Sequence, residues 1–484
     1  MYHKRRMMIS LCFALGAQLC LACCTMAPKY VQPASPVSAA WPTGASYKPN
    51  GVKPGQKPAV DIRWREFFVD AQLRKLIALA LENNRDLRVA ALNIERARAL
   101  YQIKRSDLFP KVDASADANY QRIPAGLSST GSTATVYQYN VGLGVSSYEL
   151  DLFGRVRSLK DQALEQYLAT EHARRSVQIS LVSQVAATYL NLAADREHLQ
   201  LAKQTLASQQ SSYQLIRSRF EAGISSALDL HQAQTSVDTA RVDIARYTTL
   251  VAQDENALNL VVGSPVASDL IPQKLSETLT ALKEVTPGLP SDVLLHRPDI
   301  LQAEGQLKGV NANIGAARAA FFPRITMVSS VGFGSEGLTN LFKPGSFAWQ
   351  FAPQITLPIF DAGSNRANLN VAEVDRDIAV AQYEKTIQTA FQEVADALAQ
   401  RGTIDDQVAA QQSLTEATGE SYRLSQARYD KGVDSYLNTL DSQRSLYSAQ
   451  QNLINIRLAL LANQVTLYKV LGGGGEGGIF LENR

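Results

Sequence analysis

Cysteine is almost missing from the sequence. The chain of 484 residues has four, and all of them (Cys12, Cys20, Cys23 and Cys24) lie within its first 24 positions. A disulfide framework and a cysteine-ligated metal site are therefore excluded from the body of the chain. The five histidines are scattered and no HExxH motif occurs, so no metal site is expected.

Beyond its first 24 residues the chain also lacks net charge and long apolar runs. Removing residues 1–23 removes three of the 48 basic residues and none of the 45 acidic ones, which leaves the remaining chain neutral. A neutral chain lacks the basic footprint of a nucleic-acid-binding protein. The only long apolar run is Met7–Cys24, which excludes a bundle of transmembrane helices.

The sequence contains no cofactor-binding or catalytic motif in the structural context that such a motif requires. Gly332–Gly337 matches the pattern GxGxxG, but a dinucleotide-binding loop must open a helix inside a βαβ unit, and another strand-like run follows here. No lysine follows the glycines of residues 472–478, as a phosphate-binding loop requires. We therefore expect no cofactor and no enzymatic activity.

The start of the chain has the pattern of an export signal. Basic residues precede the apolar stretch Met7–Ala22, which predicts a signal peptide over residues 1–23. The sequence Leu21-Ala22-Cys23-Cys24 resembles a bacterial lipobox, and Cys24 fits the acylated position better because Leu21 stands three residues before it. Lipidation at Cys24 is expected, and Thr25 favours the outer membrane by analogy with bacterial lipoproteins. An ordinary signal peptide with incidental cysteines is the alternative.

The chain repeats itself. Tyr213–Gly263 and Tyr422–Gly472 align without a gap at an offset of 209 residues, and Asp86 recurs as Asp299 at an offset of 213. A period of this length is too long for a solenoid and indicates a duplicated domain. The predicted organisation is a lipid-anchored extended linker (24–62), a first repeat (63–263), an equatorial connection (264–290), a second repeat (291–472) and a flexible glycine-rich tail (473–484).

Each repeat contains two strand-like runs in which apolar and polar residues alternate. Phe347, Trp349, Phe351 and Ile355 share one face of the last run. Alternation over about ten residues is typical of outer-membrane barrel strands, although a half-buried soluble strand alternates equally well. Four strands cannot close a barrel, and an open edge in lipid leaves backbone groups unpaired. Barrel strands therefore require an oligomer, with eight strands from two chains or twelve from three.

Very long helices account for most of the remaining sequence. Arg155–Phe220 has 66 residues without glycine or proline, enough for roughly 99 Å of helix at ~1.5 Å per residue. Ser364–Tyr429 is interrupted only by Gly402 and Gly419. Helices of this length, rich in alanine and polar residues, indicate a coiled-coil-like assembly in water. The expected fold class is therefore mixed α and β, internally duplicated, with a helical tube continuous with the strands.

Short motifs along the chain form a distinctive set. They are the lipobox-like start, Tyr148–Arg155 (YELDLFGR), Arg297–Ile300 (RPDI), Leu357–Gly363 (LPIFDAG) and Leu471–Gly474 (LGGG). Together they resemble the TolC/OprM family of outer-membrane efflux channels, in the lipoprotein branch that serves resistance–nodulation–division (RND) pumps. The resemblance implies a homotrimer with a twelve-stranded transmembrane β-barrel and a long α-helical barrel. It also implies docking to a periplasmic membrane-fusion adaptor and an inner-membrane RND pump.

Two glycines interrupt the long helix pairs at equivalent points. Gly223 and Gly432 supply the backbone freedom that a tight helix-to-helix reversal needs. We expect these turns at the end farthest from the membrane, in contact with the adaptor. A plain helix terminator is compatible with the same pattern.

A charged face follows the second of these glycines. Leu437, Asp441 and Arg444 are spaced i, i+4 and i+7, so they share one side of a helix. By resemblance to the family, these residues form the periplasmic gate, and a ring of carboxylates there would favour cations. The alternative is a solvated ion pair on the helix surface, worth about a few tenths of a kcal/mol. The aligned residues of the first repeat are uncharged: Leu228, Gln232 and Thr235.

The expected function is passive export of drugs or other small toxic compounds through a duct in the outer membrane. The duct would be lipid-anchored, would have a large periplasmic part and would open when its partners bind. One alternative is an outer-membrane duct for type I protein secretion, which an anchored lipid disfavours. Another is a structural lipoprotein that tethers the envelope, which the strand alternation disfavours.

Overall fold

The computed structural model of the chain describes residues 25–47, 59–129, 131–275 and 294–475. The predicted signal peptide, Cys24, residues 276–290 of the equatorial connection and residues 476–484 of the tail lie outside the described residues. The main elements described are the helices α1 (Ala71–Asn83), α2 (Arg85–Ser106), α3 (Arg155–Glu221), α4 (Ala227–Val262), α5 (Pro298–Ala319), α6 (Ser364–Asp430) and α7 (Tyr436–Val470), and the strands β1 (Asp113–Ile123), β2 (Ala134–Leu150), β3 (Arg324–Ser335) and β4 (Phe347–Thr356).

The strands form one antiparallel sheet in the order β1–β2–β3–β4. Strands β2 and β3 come from different repeats and pair through Gly142 and Gly332, where a Cβ on either residue would collide with the opposite backbone. The edge strands β1 and β4 each leave one row of backbone groups unpaired among the described residues. On β4, Phe347, Trp349 and Ile355 are 60%, 72% and 68% exposed on one face, as a face toward lipid requires.

The long helices of the two repeats match in length. Helices α3 and α6 have 67 residues each, and α4 and α7 have 36 and 35. The prediction of an uninterrupted helix from Arg155 is confirmed, and neither Gly402 nor Gly419 breaks α6. One stretch of 18 residues in α3 is apolar enough to span a membrane by length and composition, but 67% of it is buried, as in the core helix of a soluble protein.

The chain divides into two compact units. The sheet unit contains residues 25–34, 93–170 and 302–383, and the helical unit contains the other described residues. Each unit takes corresponding segments from both repeats. The compact units therefore differ from the sequence repeats, because each repeat contributes to both units.

Aromatic residues after the N-terminal linker close the core of the helical unit. Trp64, Phe67 and Phe68 are at most 1% exposed. The Phe67 ring stacks on Tyr468 with centroids 3.9 Å apart, and the Tyr468 hydroxyl donates to the Ile62 carbonyl oxygen at 2.6 Å. The end of the linker is thereby fixed to the last turns of α7.

Candidate functional site

Each long helix pair is joined by a short turn that contains a glycine. Gly223 and Gly432 have φ angles of +76° and +71°. The Gly223 N–H donates to the Phe220 carbonyl at 2.9 Å and the Ile224 N–H to the Arg219 carbonyl at 2.8 Å, and the turn at Gly432 repeats both bonds. This is the Schellman motif, in which a left-handed residue ends a helix. A Cβ at either glycine would meet nothing within 4 Å, so the backbone angle alone requires glycine.

The helices that follow these turns begin differently. In the first repeat, Ser226 and Asp229 form a complete capping box, each side chain accepting from the other residue's N–H at 3.1 Å. In the second repeat, the carboxylate belongs to Asp434, which accepts from the Ser435 N–H at 2.9 Å and from Arg428 Nε at 3.1 Å. The two tips therefore place their negative charge at different positions.

An apolar cluster joins the two turns at the tip of the helical unit. It contains Ile216 and Ala233 from the first repeat and Tyr429, Tyr436 and Leu440 from the second. The rings of Tyr429 and Tyr436 lie 5.7 Å apart between centroids. Burial raises the pKa of Tyr436 to about 12. The start of α7 therefore rests on the first-repeat hairpin.

All three predicted gate residues are exposed on α7. Leu437 is 45% exposed, and Asp441 and Arg444 are also exposed. Within the described residues, the side chains of Asp441 and Arg444 form no hydrogen bond and no ion pair. The helical ion pair that the sequence also allowed is therefore absent from the single chain. The face of α7 that carries Leu437 therefore exposes one negative and one positive side chain, and neither is paired within the described chain.

Polar contacts tie α7 to the first-repeat hairpin farther along the helix. They could not be predicted from the sequence because the partners lie more than 200 residues apart. The i, i+4 spacing of Gln443 and Tyr447 was the available signal. Gln443 Nε2 donates to Ser208 Oγ at 3.2 Å, the Tyr447 hydroxyl donates to Asp243 at 2.9 Å, and His198 Nε2 lies 3.0 Å from Asn455 Oδ1. These contacts fix the helix that carries the gate residues.

Two titratable groups of the helical unit have shifted pKa values. Burial and the neighbouring Asp195 carboxylate raise the pKa of Asp254 to about 6. Burial lowers the pKa of His198, whose ring stacks on Tyr247 with centroids 4.8 Å apart. No group of three or more His, Cys, Asp or Glu side chains is placed to hold a metal ion within the described ranges.

The residues that follow the predicted lipidation position are part of the sheet unit. We call residues 25–32 the strap. Thr25 Oγ1 lies 3.3 Å from Ser158 Oγ, the Pro28 carbonyl accepts from Asn311 Nδ2 at 2.9 Å, and the Tyr30 hydroxyl donates to Glu304 at 3.2 Å. Ser158 belongs to the first turn of α3, directly after β2. The N-terminal end of the strap therefore lies beside the first turn of α3.

One family model matches the chain twice. Residues 76–264 and residues 289–473 both match the family described as outer membrane efflux protein. The chain belongs to the outer membrane efflux protein family. The double match also confirms the predicted internal duplication, because each match falls on one repeat.

Known efflux proteins are similar over nearly the whole chain. The toluene efflux pump outer membrane protein TtgI of Pseudomonas putida is 52% identical over 458 residues, covering 95% of this chain and 97% of its own. The outer membrane protein OprJ of Pseudomonas aeruginosa is 45% identical over 466 residues, 96% of each chain. The crystal structure of the open state of the Neisseria gonorrhoeae MtrE outer membrane channel is 39% identical, with a TM-score of 0.83 over 93% of this chain and 98% of that one.

These similarities confirm the family, the fold class, the outer-membrane location and the export function predicted from the sequence. This efflux protein is an outer-membrane component of an efflux pump. Its family and relatives are channel proteins. The lipid on Cys24, the gate at Leu437, Asp441 and Arg444, and the adaptor contacts at Gly223 and Gly432 stay predictions.

Proposed function

We propose that this efflux protein is the outer-membrane duct of a tripartite pump. It would assemble as a homotrimer, dock to a periplasmic membrane-fusion adaptor and receive cargo from an inner-membrane RND pump. The observation that carries the proposal is the open sheet, with two edge strands and an exposed apolar face on β4. Three copies would close those edges into a twelve-stranded barrel, which removes the unpaired backbone groups from lipid.

The cargo we propose is small and apolar, in the range of organic solvents and drugs. Relatives that are about half identical over nearly the full chain carry the names toluene efflux pump and antibiotic efflux pump outer membrane proteins. The duct would do no chemistry, so the chain is not an enzyme and needs no cofactor. The inner-membrane pump would supply the energy.

The gate of the closed duct would be formed by Leu437, Asp441 and Arg444. Both charges are exposed and without a partner in the described chain, which supports their pairing across the axis of a trimer. Asp441 of one protomer and Arg444 of the next would then narrow the periplasmic opening. The polar contacts of α7 farther along would hold this helix in the closed position.

Adaptor binding is assigned to the tip turns. Gly223 and Gly432 have no side chain, and nothing surrounds the positions where their Cβ atoms would lie. A partner helix could therefore approach the backbone of both turns closely. The different positions of Asp229 and Asp434 would make the two tips unequal docking sites.

A lipid on Cys24 would anchor the duct at the membrane surface. The strap begins one residue later, and its first residue contacts Ser158 beside the end of the sheet. A lipid attached there would reach the bilayer that contains the strands. Export and cleavage of residues 1–23 would precede acylation, and residues 24–62 would form the anchored linker.

We propose the same domain boundaries that the sequence predicts. Residues 63–263 and 291–472 would each supply one barrel-strand pair and one helix hairpin. Residues 264–290 would cross the equator of the helical part. Residues 473–484 would form a flexible tail.

Single-channel conductance in a planar bilayer tests the duct and the gate together. Wild-type protein should give a small, mostly closed conductance, and the variant Asp441→Ala/Arg444→Ala should raise it several-fold. The matched control is Gln232→Ala/Thr235→Ala at the aligned positions of the first repeat, which should behave as wild type. An equally large conductance of the wild type and both variants would support the proposed duct and contradict the proposed gate.

The alternatives give different results. A folded oligomer without conductance in any variant would favour the tethering lipoprotein. A deletion strain that keeps its solvent tolerance but loses a secreted protein would favour the type I secretion duct. Loss of solvent tolerance with normal secretion is the result that we expect.

A further inference from the structure

One side of the sheet carries a single charge. Residues that pair across antiparallel strands share a side, and successive residues of one strand alternate between the two sides. The strand register therefore extends the side of Phe347 across all four strands, through Phe333 of β3 and Val141 of β2. We call this side of the sheet its lipid-facing side. Arg122 of β1 is the only charged residue that the described strands place on it.

Arg122 has no counter-charge in the described chain. Its side chain is exposed and forms no ion pair and no hydrogen bond among the described residues. No other charged residue occurs between Asp117 and Glu149. Closing the sheet against a second copy would not supply one from the strands, because the lipid-facing side of β4 is uncharged. A charge in this position is costly in lipid unless it reaches the membrane surface and gains a partner there.

The position of Arg122 along β1 places it at a membrane surface. The strand begins after α2 and ends at Ile123, one residue beyond Arg122, so the arginine lies at the hairpin end of the sheet. The opposite end of the sheet is where β2 leads into α3 and β4 leads into α6. In the proposed duct those helices lie in the periplasm, so the hairpin end reaches the outer leaflet of the outer membrane. This leaflet consists largely of lipopolysaccharide, whose lipid A carries phosphate groups.

Three tyrosines on the lipid-facing side form a compact group beside Arg122. The rings of Tyr137 and Tyr139 meet the Tyr120 ring edge-on, with centroids 5.5 Å and 5.8 Å from it. The hydroxyl oxygens of Tyr120 and Tyr139 lie 3.0 Å apart, so one hydroxyl hydrogen is used between them and the other is free to donate. Tyr120 precedes Arg122 by two residues, which is about 7 Å along the strand. A phosphate group between them would accept from the guanidinium and from a tyrosine hydroxyl.

The residues that follow along β2 suit the rest of a lipid molecule. From the hairpin inward, the lipid-facing side of β2 presents Thr135, Tyr137, Tyr139, Val141 and Leu143 in that order. The polar residue pairs with Arg122, the aromatic rings come next and the aliphatic side chains follow, with Leu143 52% exposed. Headgroup, interface and acyl chains succeed one another in the same order in a lipid layer.

We propose that Arg122, Tyr120 and Tyr139 bind a phosphate group of lipid A in the outer leaflet. The arginine supplies the charge and a planar pair of N–H donors, and the tyrosines supply a neutral donor at a fixed place. The aliphatic residues farther along β2 cover acyl chains of the same molecule. This inference rests on the proposed duct and identifies a lipid ligand of its outer surface.

Lipid binding by the detergent-solubilised protein tests the site directly. Native mass spectrometry with added diphosphoryl lipid A gives the dissociation constant. Arg122→Gln should weaken binding by at least about tenfold, because it removes a charge-assisted bond to phosphate. Arg122→Lys should restore part of the affinity, since it keeps the charge but loses the paired donors. The control Lys111→Gln removes an exposed cation that precedes β1 and should bind as the wild type does.

Two further comparisons identify the donor and the lipid. Tyr120→Phe keeps the ring and removes the hydroxyl, so it should weaken the binding of lipid A several-fold. The wild type should bind diphosphoryl lipid A more tightly than phosphatidylglycerol, because lipid A offers a second phosphate and more acyl chains. Equal affinity for both lipids, with an equal loss in Arg122→Gln, would overturn the assignment to lipid A.

Oligomer stability gives an independent readout and tests for a protein partner. Added lipid A should raise the temperature at which the wild-type oligomer dissociates, because a ligand stabilises the state that it binds. Arg122→Gln should lose that rise. Glu336 is the only acid between β3 and β4, and it could pair with Arg122 of another copy. If Glu336→Gln and Arg122→Gln lowered the dissociation temperature equally without lipid, a protein partner would replace the proposed lipid.

The failure of this inference differs from the failure of the proposed duct. A protein that conducts in a planar bilayer but binds lipid A equally well with and without Arg122 would keep the duct and overturn the lipid site. A protein that neither conducts nor assembles would overturn the duct, and with it the orientation on which the site depends. Conduction together with lipid A binding that depends on Arg122 supports both.

Discussion

Arg297 and Asp299 are joined by two parallel hydrogen bonds. Arg297 Nε donates to Oδ1 at 3.1 Å, and Nη2 donates to Oδ2 at 2.7 Å. The same guanidinium donates to Glu393 Oε2 at 2.8 Å and to the Val470 carbonyl at 2.9 Å. One buried arginine thus connects the start of α5 to α6 and to the end of α7.

Replacing Arg297 with alanine should destabilise the protein by about 3 kcal/mol. Losing a buried partner typically costs 3–5 kcal/mol, and the partial exposure of Asp299 and Glu393 favours the lower end. Thermal unfolding of the detergent-solubilised protein measures the change. The control is Arg423→Ala, which removes the exposed pair with Glu420 and should leave unfolding unchanged. Equal effects of both substitutions would contradict the structural role of Arg297.

Gly263→Ala should be far more damaging than Gly472→Ala. The two glycines end α4 and α7 and have φ angles of +80° and +82°, so alanine is strained by about 1 kcal/mol at both. A Cβ at Gly263 would also lie 2.5 Å from the Asn83 carbonyl oxygen, whereas nothing lies within 4 Å at Gly472. The midpoints of thermal unfolding should separate the two variants. Similar midpoints would show that the backbone around Asn83 moves aside at little cost.

Asp254→Asn should stabilise the protein at neutral pH and not below about pH 4. The pKa of Asp254 is raised to about 6, so the folded state binds the proton more tightly than the unfolded state. Stability contributed by this proton is lost as pH rises through that window. Unfolding midpoints at pH 7.5 and pH 4 measure the effect, with the exposed Asp396→Asn as control. A gain of equal size at both values would rule out the titration of Asp254 as its cause.

Asp441→Asn should reduce the cation preference of the open channel. A carboxylate ring at the narrow end attracts cations and repels anions, and the amide removes that charge with little change of volume. The reversal potential across a bilayer with a potassium chloride gradient gives the selectivity. The control is Asp238→Asn, an exposed carboxylate of α4. An unchanged reversal potential for Asp441→Asn would place the selective region elsewhere.

The sequence predicted local features well. The end of α3 lies one residue beyond the predicted Phe220, because helical periodicity and the absence of glycine and proline are local signals. The turns at Gly223 and Gly432 could be predicted for the same reason, since their backbone angle depends on one residue. The alternation of apolar and polar residues likewise predicted where the strands of the sheet lie in the sequence.

Contacts between distant residues could not be predicted. The partners of Arg297 on α6 and α7 lie 96 and 173 residues away, and no pattern in a single sequence links them. The spacing of Asp441 and Arg444 allowed either an ion pair or two free charges. Only the fold excluded the pair, because rotamers and neighbours decide between arrangements that the same spacing permits.

The equal lengths of α3 and α6 restrict which insertions and deletions the protein can accept during evolution. Both helices follow equivalent left-handed glycines, Gly154 and Gly363, and their far ends meet in one apolar cluster around Tyr429. Deleting a helical turn from one of them alone would withdraw its tip from that cluster and leave the other unsupported. Insertions and deletions in the two halves of the gene should therefore survive only as matched pairs.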